Sequence, residues 1–112
     1  MKWVGTVPLA ALENGALVRL SHPPFDVIVG LVDGEPYAIE DACNHAGASL
    51  TEGGWSVLRP ACVVCPMHGY VFSLTSGELI SPKGLCDDQR TFRARIEGDV
   101  VVVRDPFSLT IA

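Results

Sequence analysis

Asp26-Val27-Ile28-Val29-Gly30-Leu31-Val32-Asp33-Gly34-Glu35-Pro36-Tyr37-Ala38-Ile39 is the stretch that decides the class of fold. Two apolar, β-branched runs flank Asp33-Gly34, a dipeptide that readily takes the positive φ angles a two-residue hairpin turn requires. The spacing predicts strands over residues 26–32 and 35–39. Toward the C-terminus, residues 91–96 alternate Phe92, Ala94 and Ile96 with Thr91, Arg93 and Arg95, the pattern of a strand with one buried and one wet face. Glu97-Gly98-Asp99 then turns the chain, and residues 100–104 return it as a more buried strand. Toward the N-terminus, residues 2–7 read as a strand, and residues 16–20 as another after the Asn14-Gly15 turn.

Short strands with regular turn signals predict an all-β fold, a small antiparallel β-sandwich or barrel. No helix of ordinary length is expected, only a single turn near residues 9–12 or after Gly47. Between the two hairpins lies a region of different composition, about residues 43–86. It carries all four cysteines, two of the three histidines and a concentration of Gly and Pro. Short strands are expected there at residues 57–58, 61–64 and 70–72, with loops around Cys43 and Cys65. At 112 residues, the chain is expected to form one domain, 1–112, with 43–86 as a subdomain. No element is assigned to residues 106–112.

Thirteen acidic residues against eight basic ones, with no Lys/Arg run, argue against nucleic acid and against a polybasic membrane patch. Residues 1–10 lack the charged start and long apolar run of a secretory signal, and the longest aliphatic stretch, residues 100–103, is too short to span a bilayer. A soluble, cytoplasmic protein is the expectation. Two disulfides would suit an oxidising compartment, but two of the cysteines sit beside histidines at short spacing, which favours metal.

Cys43-Asn44-His45 and Cys65-Pro66-Met67-His68 each aim a thiolate and an imidazole from one short loop. Such a donor set suits either a tetrahedral structural zinc or an iron–sulfur cluster with two ligands of each kind. Zinc sites usually draw their ligands as Cys-Cys and His-His pairs, so two mixed pairs lean toward a two-iron cluster.

The first loop, Cys43-Asn44-His45-Ala46-Gly47-Ala48-Ser49-Leu50, resembles the C-x-H-x-G-A-x-L form of the Rieske family. The second, Cys65-Pro66-Met67-His68-Gly69-Tyr70-Val71-Phe72 continuing to Ser76-Gly77, is similar to the family's C-P-x-H-G-x-x-F-D-x-x-x-G, with Ser73 where Asp is usual. The resemblance implies a Rieske-like fold whose cluster-binding subdomain is formed by two loops. It implies one [2Fe–2S] cluster, with Cys43 and Cys65 on one iron and His45 and His68 on the other. Nineteen residues separate His45 from Cys65, which implies an enlarged turn around residues 53–60.

The family's high-potential members carry a loop-to-loop disulfide, a Ser after the second His-Gly and a Tyr two residues beyond. The corresponding places here hold Ala48 and Met67, Tyr70, and Phe72. Fewer hydrogen bonds to sulfur leave the reduced cluster less stabilised, so the resemblance implies the low end of the Rieske range, on the order of −150 mV. Members of that branch are soluble carriers passing one electron from a flavin- or iron–sulfur-containing reductase to a terminal oxygenase. A related branch forms the small subunit of assimilatory nitrite reductase, and a zinc-stabilised interaction domain is the remaining reading. With His45 and His68 assigned, only His22 remains, too few histidines for a non-haem oxygenase iron; the chain is expected to be a carrier, not an enzyme.

Other residues receive plainer expectations. Cys62 reads as a small buried hydrophobe and Cys86 as a free thiol. His22 reads as a surface loop residue, and Trp3 and Trp55 as packing residues. Gly47 and Gly69 suit sharp turns beside the histidines. Pro66, Met67 and Pro82 are apolar loop residues placed to form a docking rim around the imidazoles.

Overall fold

The computed structural model describes residues 2–22, 25–42, 49–56, 61–67, 69–84 and 86–106. Among the described residues, nine strands fall into two antiparallel sheets. In the larger sheet, β1 (Lys2–Pro8), β2 (Val18–His22), β3 (Phe25–Val32), β4 (Glu35–Glu40), β8 (Thr91–Glu97) and β9 (Val100–Asp105) lie in the order β1-β9-β8-β4-β3-β2. The smaller sheet is β5 (Cys62–Val64), β6 (Val71–Ser73) and β7 (Leu79–Ser81), in that order. A 3-10 helix occupies Leu9–Gly15, and one α-helical turn, α1, occupies Leu50–Gly53.

The predicted central hairpin forms with Val32 paired to Glu35, and Asp33 and Gly34 take φ of 52° and 81°. Both positive angles match the twist of the flanking strands, which is why this dipeptide turns the chain without splaying them. The C-terminal hairpin pairs Glu97 with Val100. Period-2 alternation then sorts side chains to two faces. One face of β3, β4, β8 and β9 contributes Val27, Val29, Ala38, Phe92, Val101 and Val103 to a core inside the large sheet, joined by Val7 and Leu12. The sheet curls until its ends approach: a Cβ on Gly5 of β1 would stand 3.6 Å from Leu20 Cδ1 of β2.

The opposite face of β3–β4 holds Ile28 and Ile39, and the small sheet packs on it. Leu50, Val63, Cys65, Phe72, Leu74 and Leu79 complete that second core. Gly30 makes the docking close, since a Cβ there would meet Leu17 Cδ2 at 2.8 Å and Leu74 Cδ2 at 3.0 Å. Burying each such Leu, Ile or Phe contributes about 1.5–3 kcal/mol, so the subdomain is held by packing rather than by a shared hydrogen-bond ladder.

Several expectations need correction. The second strand runs two residues later than predicted because the 3-10 helix extends through Gly15. β7 was not anticipated; Leu79, Ile80 and Ser81 are too few for a periodic signal and are recruited by pairing with β6. Ile96 lies on the inner face of β8 yet is exposed, because the strand outruns the core. Trp3 is no packing residue: it is 56% exposed, with the Arg104 guanidinium 5.8 Å from its ring centroid. His22 is not a loop residue but ends β2, where Nε2 lies 2.9 Å from Asp105 Oδ2 of β9 and the ring meets Phe92 edge-on. It bridges strands near opposite ends of the sheet order and helps close the barrel. Trp55 does pack, as expected, and its Nε1–H donates to the Gly15 carbonyl. The predicted strand at 57–58 and the 107–112 part of the tail lie outside the described residues.

Candidate cluster site

The second Cys/His loop is the tip of the β5–β6 hairpin. Val64 pairs with Val71, after which the Cys65 N–H donates to the Tyr70 carbonyl (2.8 Å) and the Gly69 N–H to the Cys65 carbonyl (3.2 Å). Gly69 takes φ 72°, as the sharp turn beside His68 demanded. Cys65 is therefore at the root of the loop, 1% exposed and among Leu50, Val63, Phe72 and Leu79. Pro66 and Met67 are at the tip, and Met67 is 50% exposed. The hairpin thus carries one soft donor at a dry base and an apolar surface at its end.

The first loop leaves β4 after Glu40 and returns at α1, its base closed by a bridge between Ala42 and Ser49. Two side chains that sequence reasoning missed hold that base. Asp41 is 2% exposed; its Oδ1 accepts from the Thr51 N–H (2.8 Å) and Thr51 Oγ1–H (2.6 Å), and its Oδ2 from Ser49 Oγ–H (2.7 Å). Arg19 approaches Oδ2 at 3.9 Å. Gln89, also buried, donates from Nε2 to the carbonyls of Glu40 and Ala42, both at 2.8 Å. Asp41 grips the returning side of the loop and Gln89 the departing side. The Ser49-x-Thr51 pair after an acidic residue was a usable signal for Asp41. Nothing near the loop announces Gln89, which arrives from beyond β7.

The end of α1 is also pressed against β5. The Gly54 carbonyl accepts from the Val64 N–H (2.9 Å), and a Cβ on Gly53 would fall 1.6 Å from the Val64 carbonyl oxygen. Only glycine lets the end of α1 lie against the residue that precedes Cys65. Cys62 is buried in β5, as expected, and Cys86 is half-buried against the same core. Cys43, His45, Gly47 and His68 lie outside the described residues. The donor chemistry fits a [2Fe–2S] group: Cys65 is a buried cysteine at a pinned loop root, and the sequence supplies one more Cys and two His from the same pair of loops.

A family profile described as Rieske [2Fe-2S] domain matches residues 2–85. The chain belongs to the Rieske family. Membership decides between the two metals left open by the donor set: the group is a [2Fe–2S] cluster, not structural zinc. The Rieske chain is 36% identical over 89 residues to the biphenyl dioxygenase ferredoxin subunit of Pseudomonas sp. strain KKS102, covering 80% of this chain and 79% of that one. It is 32% identical over 110 residues to the 3-phenylpropionate/cinnamic acid dioxygenase ferredoxin subunit of Escherichia coli K12, covering 95% and 96%. Among solved structures, the ferredoxin of carbazole 1,9a-dioxygenase from Nocardioides aromaticivorans IC177 superposes with a TM-score of 0.80 at 22% identity, over 94% of this chain and 99% of that one. A chain from the complex of reduced oxygenase and oxidized ferredoxin in carbazole 1,9a-dioxygenase superposes with a TM-score of 0.78 at 26% identity, over 91% and 92%. These neighbours share the all-β, barrel-like architecture. No helix among the described residues is long and apolar enough to cross a membrane.

Proposed function

We propose that this chain is a Rieske-type ferredoxin, carrying one electron from a flavin- or iron–sulfur-containing reductase to a terminal ring-hydroxylating oxygenase. In this reading Cys43, His45, Cys65 and His68 hold the cluster, residues 1–112 form one domain, and about 43–86 is its cluster-binding part. The bound cluster supplies reversible one-electron chemistry. The observation that carries the reading is the shape of the second loop, a buried thiol at the root and an exposed Met67 at the tip. The root keeps water from the sulfur ligand, while the tip offers a partner an apolar surface with no charge to desolvate.

Asp41 and Gln89 fix the two ends between which the first Cys/His stretch is strung, a rigid base that suits a group whose charge changes. Phe72, fully buried beside Cys65, presents no hydroxyl to the sulfurs, which supports a potential at the low end of the range. The names of the relatives support the oxygenase carrier over the nitrite reductase subunit. A cytoplasmic location follows from the same reading.

The decisive experiment is electron paramagnetic resonance of the dithionite-reduced protein with iron and sulfide analysis. About two irons and two sulfides per chain with a Rieske-type spectrum are expected, and substitution of His45 or His68 should abolish that spectrum. Reduction by a reductase added in trans, and reoxidation by a terminal oxygenase, test the carrier role. A chain reduced only inside a fixed reductase assembly contradicts it.

A further inference from the structure

The sequence contains no run of basic residues, yet folding assembles one. Alternation along β8 puts Arg93, Arg95 and Glu97 on the outer face of the barrel, because Phe92 is committed to the inner core. The β8–β9 register sets Arg93 directly opposite Arg104 and Arg95 opposite Val102, and the β1–β9 register sets Trp3 beside Arg104. The result is a cleft of about 270 Å³ lined by Arg93, Ala94, Arg95, Val102 and Arg104, and the exposed Trp3 ring lies with its centroid 5.8 Å from the Arg104 guanidinium. Three of the chain's eight basic residues meet here on a molecule of net charge −5.

Like charges directly opposite in a sheet destabilise it, so stability does not explain this arrangement. The counter-charge is small. Glu97 Oε2 lies 3.9 Å from Arg95 Nε and 3.7 Å from Arg104 Nη1, and Arg93 has no ion-pair partner among the described residues. Trp and Arg are the residues most enriched at the energetic centres of protein interfaces.

We propose that this face is a docking surface for a carboxylate-rich, extended segment of a protein partner. The spacing selects the occupant. Arg93 and Arg104 stand one strand apart, about 5 Å, and Arg93 and Arg95 two residues apart, about 7 Å. An extended acidic segment presents same-face carboxylates every ~7 Å, so successive carboxylates can each meet a guanidinium, with the Trp3 ring stacking on an apolar neighbour. A nucleic acid is disfavoured, because three arginines do not offset the repulsion between a phosphate backbone and an acidic molecule. The surface belongs to β8, β9 and β1, whereas the hairpin that carries Cys65 and Met67 belongs to the small sheet packed on β3–β4. A partner held here leaves the Met67 tip free.

The test is titration of the full-length, cluster-loaded, isotope-labelled protein with a capped hexaglutamate peptide at low ionic strength, read by nuclear magnetic resonance. Saturable shifts of the Trp3 indole N–H and of the Arg93, Arg95 and Arg104 Nε–H signals are expected, with the Trp55 indole unmoved. Arg93→Gln combined with Arg104→Gln should weaken binding at least tenfold, while Lys83→Gln, in an ion pair with Glu78 elsewhere, should change it less than twofold. The Gln variants relieve the like-charge pair, so an unchanged cluster spectrum and unfolding temperature are expected of them. No shift, shifts spread evenly over Arg19 and Arg90, or binding unaffected by the double variant overturns the proposal. So does salt-sensitive self-association that the double variant abolishes without any peptide binding, which would make the occupant a second copy.

Discussion

Replacing Asp41 with alanine should loosen the base of the first Cys/His loop more than any other single change there. The carboxylate accepts three hydrogen bonds between 2.6 and 2.8 Å, two of them from Thr51 and one from Ser49. Hydrogen bonds to charged groups contribute roughly 1.5–3 kcal/mol each, but they are not additive, and removing a buried charge recovers part of its desolvation cost. The two hydroxyls can turn toward water, whereas the Thr51 N–H is left without its acceptor. We expect a net loss of about 2–4 kcal/mol for Asp41→Ala. For a chain of 112 residues the unfolding entropy is about 0.24 kcal/mol per kelvin, so about 3 kcal/mol lowers the unfolding temperature by about 12 °C. Asp41→Asn separates shape from charge. Both Thr51 donors use Oδ1, which the amide carbonyl can replace, and the Ser49 hydroxyl can accept from the amide nitrogen. About 1–1.5 kcal/mol, or roughly 5 °C, is expected for it. Because loss of the cluster makes unfolding irreversible, the companion assay is the rate of visible bleaching under a chelator, fastest in the alanine variant. Unfolding temperatures within 2 °C of the native protein for both variants, at unchanged bleaching rates, would refute the reasoning.

Gly53→Ala should yield a protein that incorporates less than half the normal iron per chain, because the new Cβ collides with the Val64 carbonyl and backbone must shift at the root of Cys65; full iron content would mean that α1 yields instead. Met67→Glu should slow electron transfer to the oxygenase roughly tenfold by desolvating a charge at the contact, while leaving the cluster spectrum unchanged; stopped-flow rates check it. Phe72→Tyr should raise the midpoint potential by roughly tens of millivolts by offering a hydroxyl to sulfur, measured by redox titration beside the native protein, for which about −150 mV is expected. His22→Ala removes the 2.9 Å contact with Asp105 and the edge-on contact with Phe92, and should lower the unfolding temperature by about 4–10 °C with no change in potential.

How much of this was legible beforehand depends on the range over which each signal acts. Asp33-Gly34 turns the chain because of its own backbone preferences, so that hairpin needed no tertiary information. The two mixed Cys/His loops are likewise short enough to be read where they stand. β7 escaped notice because three residues carry no period, and its conformation is supplied by β6. Trp3 and His22 were misjudged for opposite reasons. The register of β1 carries an aromatic ring outward, while curling of the sheet carries a histidine beside Pro23-Pro24 inward onto Asp105.

By itself, then, the sequence determined the all-β class, the central and C-terminal hairpins, and the donor chemistry, since each rests on φ preferences, side-chain alternation or ligand type within a dozen residues. The tertiary structure decided what depends on distant partners. It brought Gln89 to the carbonyls of Glu40 and Ala42, laid Gly53 against Val64, and set Arg93 opposite Arg104. Those meetings follow from strand order and register, which minimise exposed apolar surface over the whole sheet and leave no mark on any one segment.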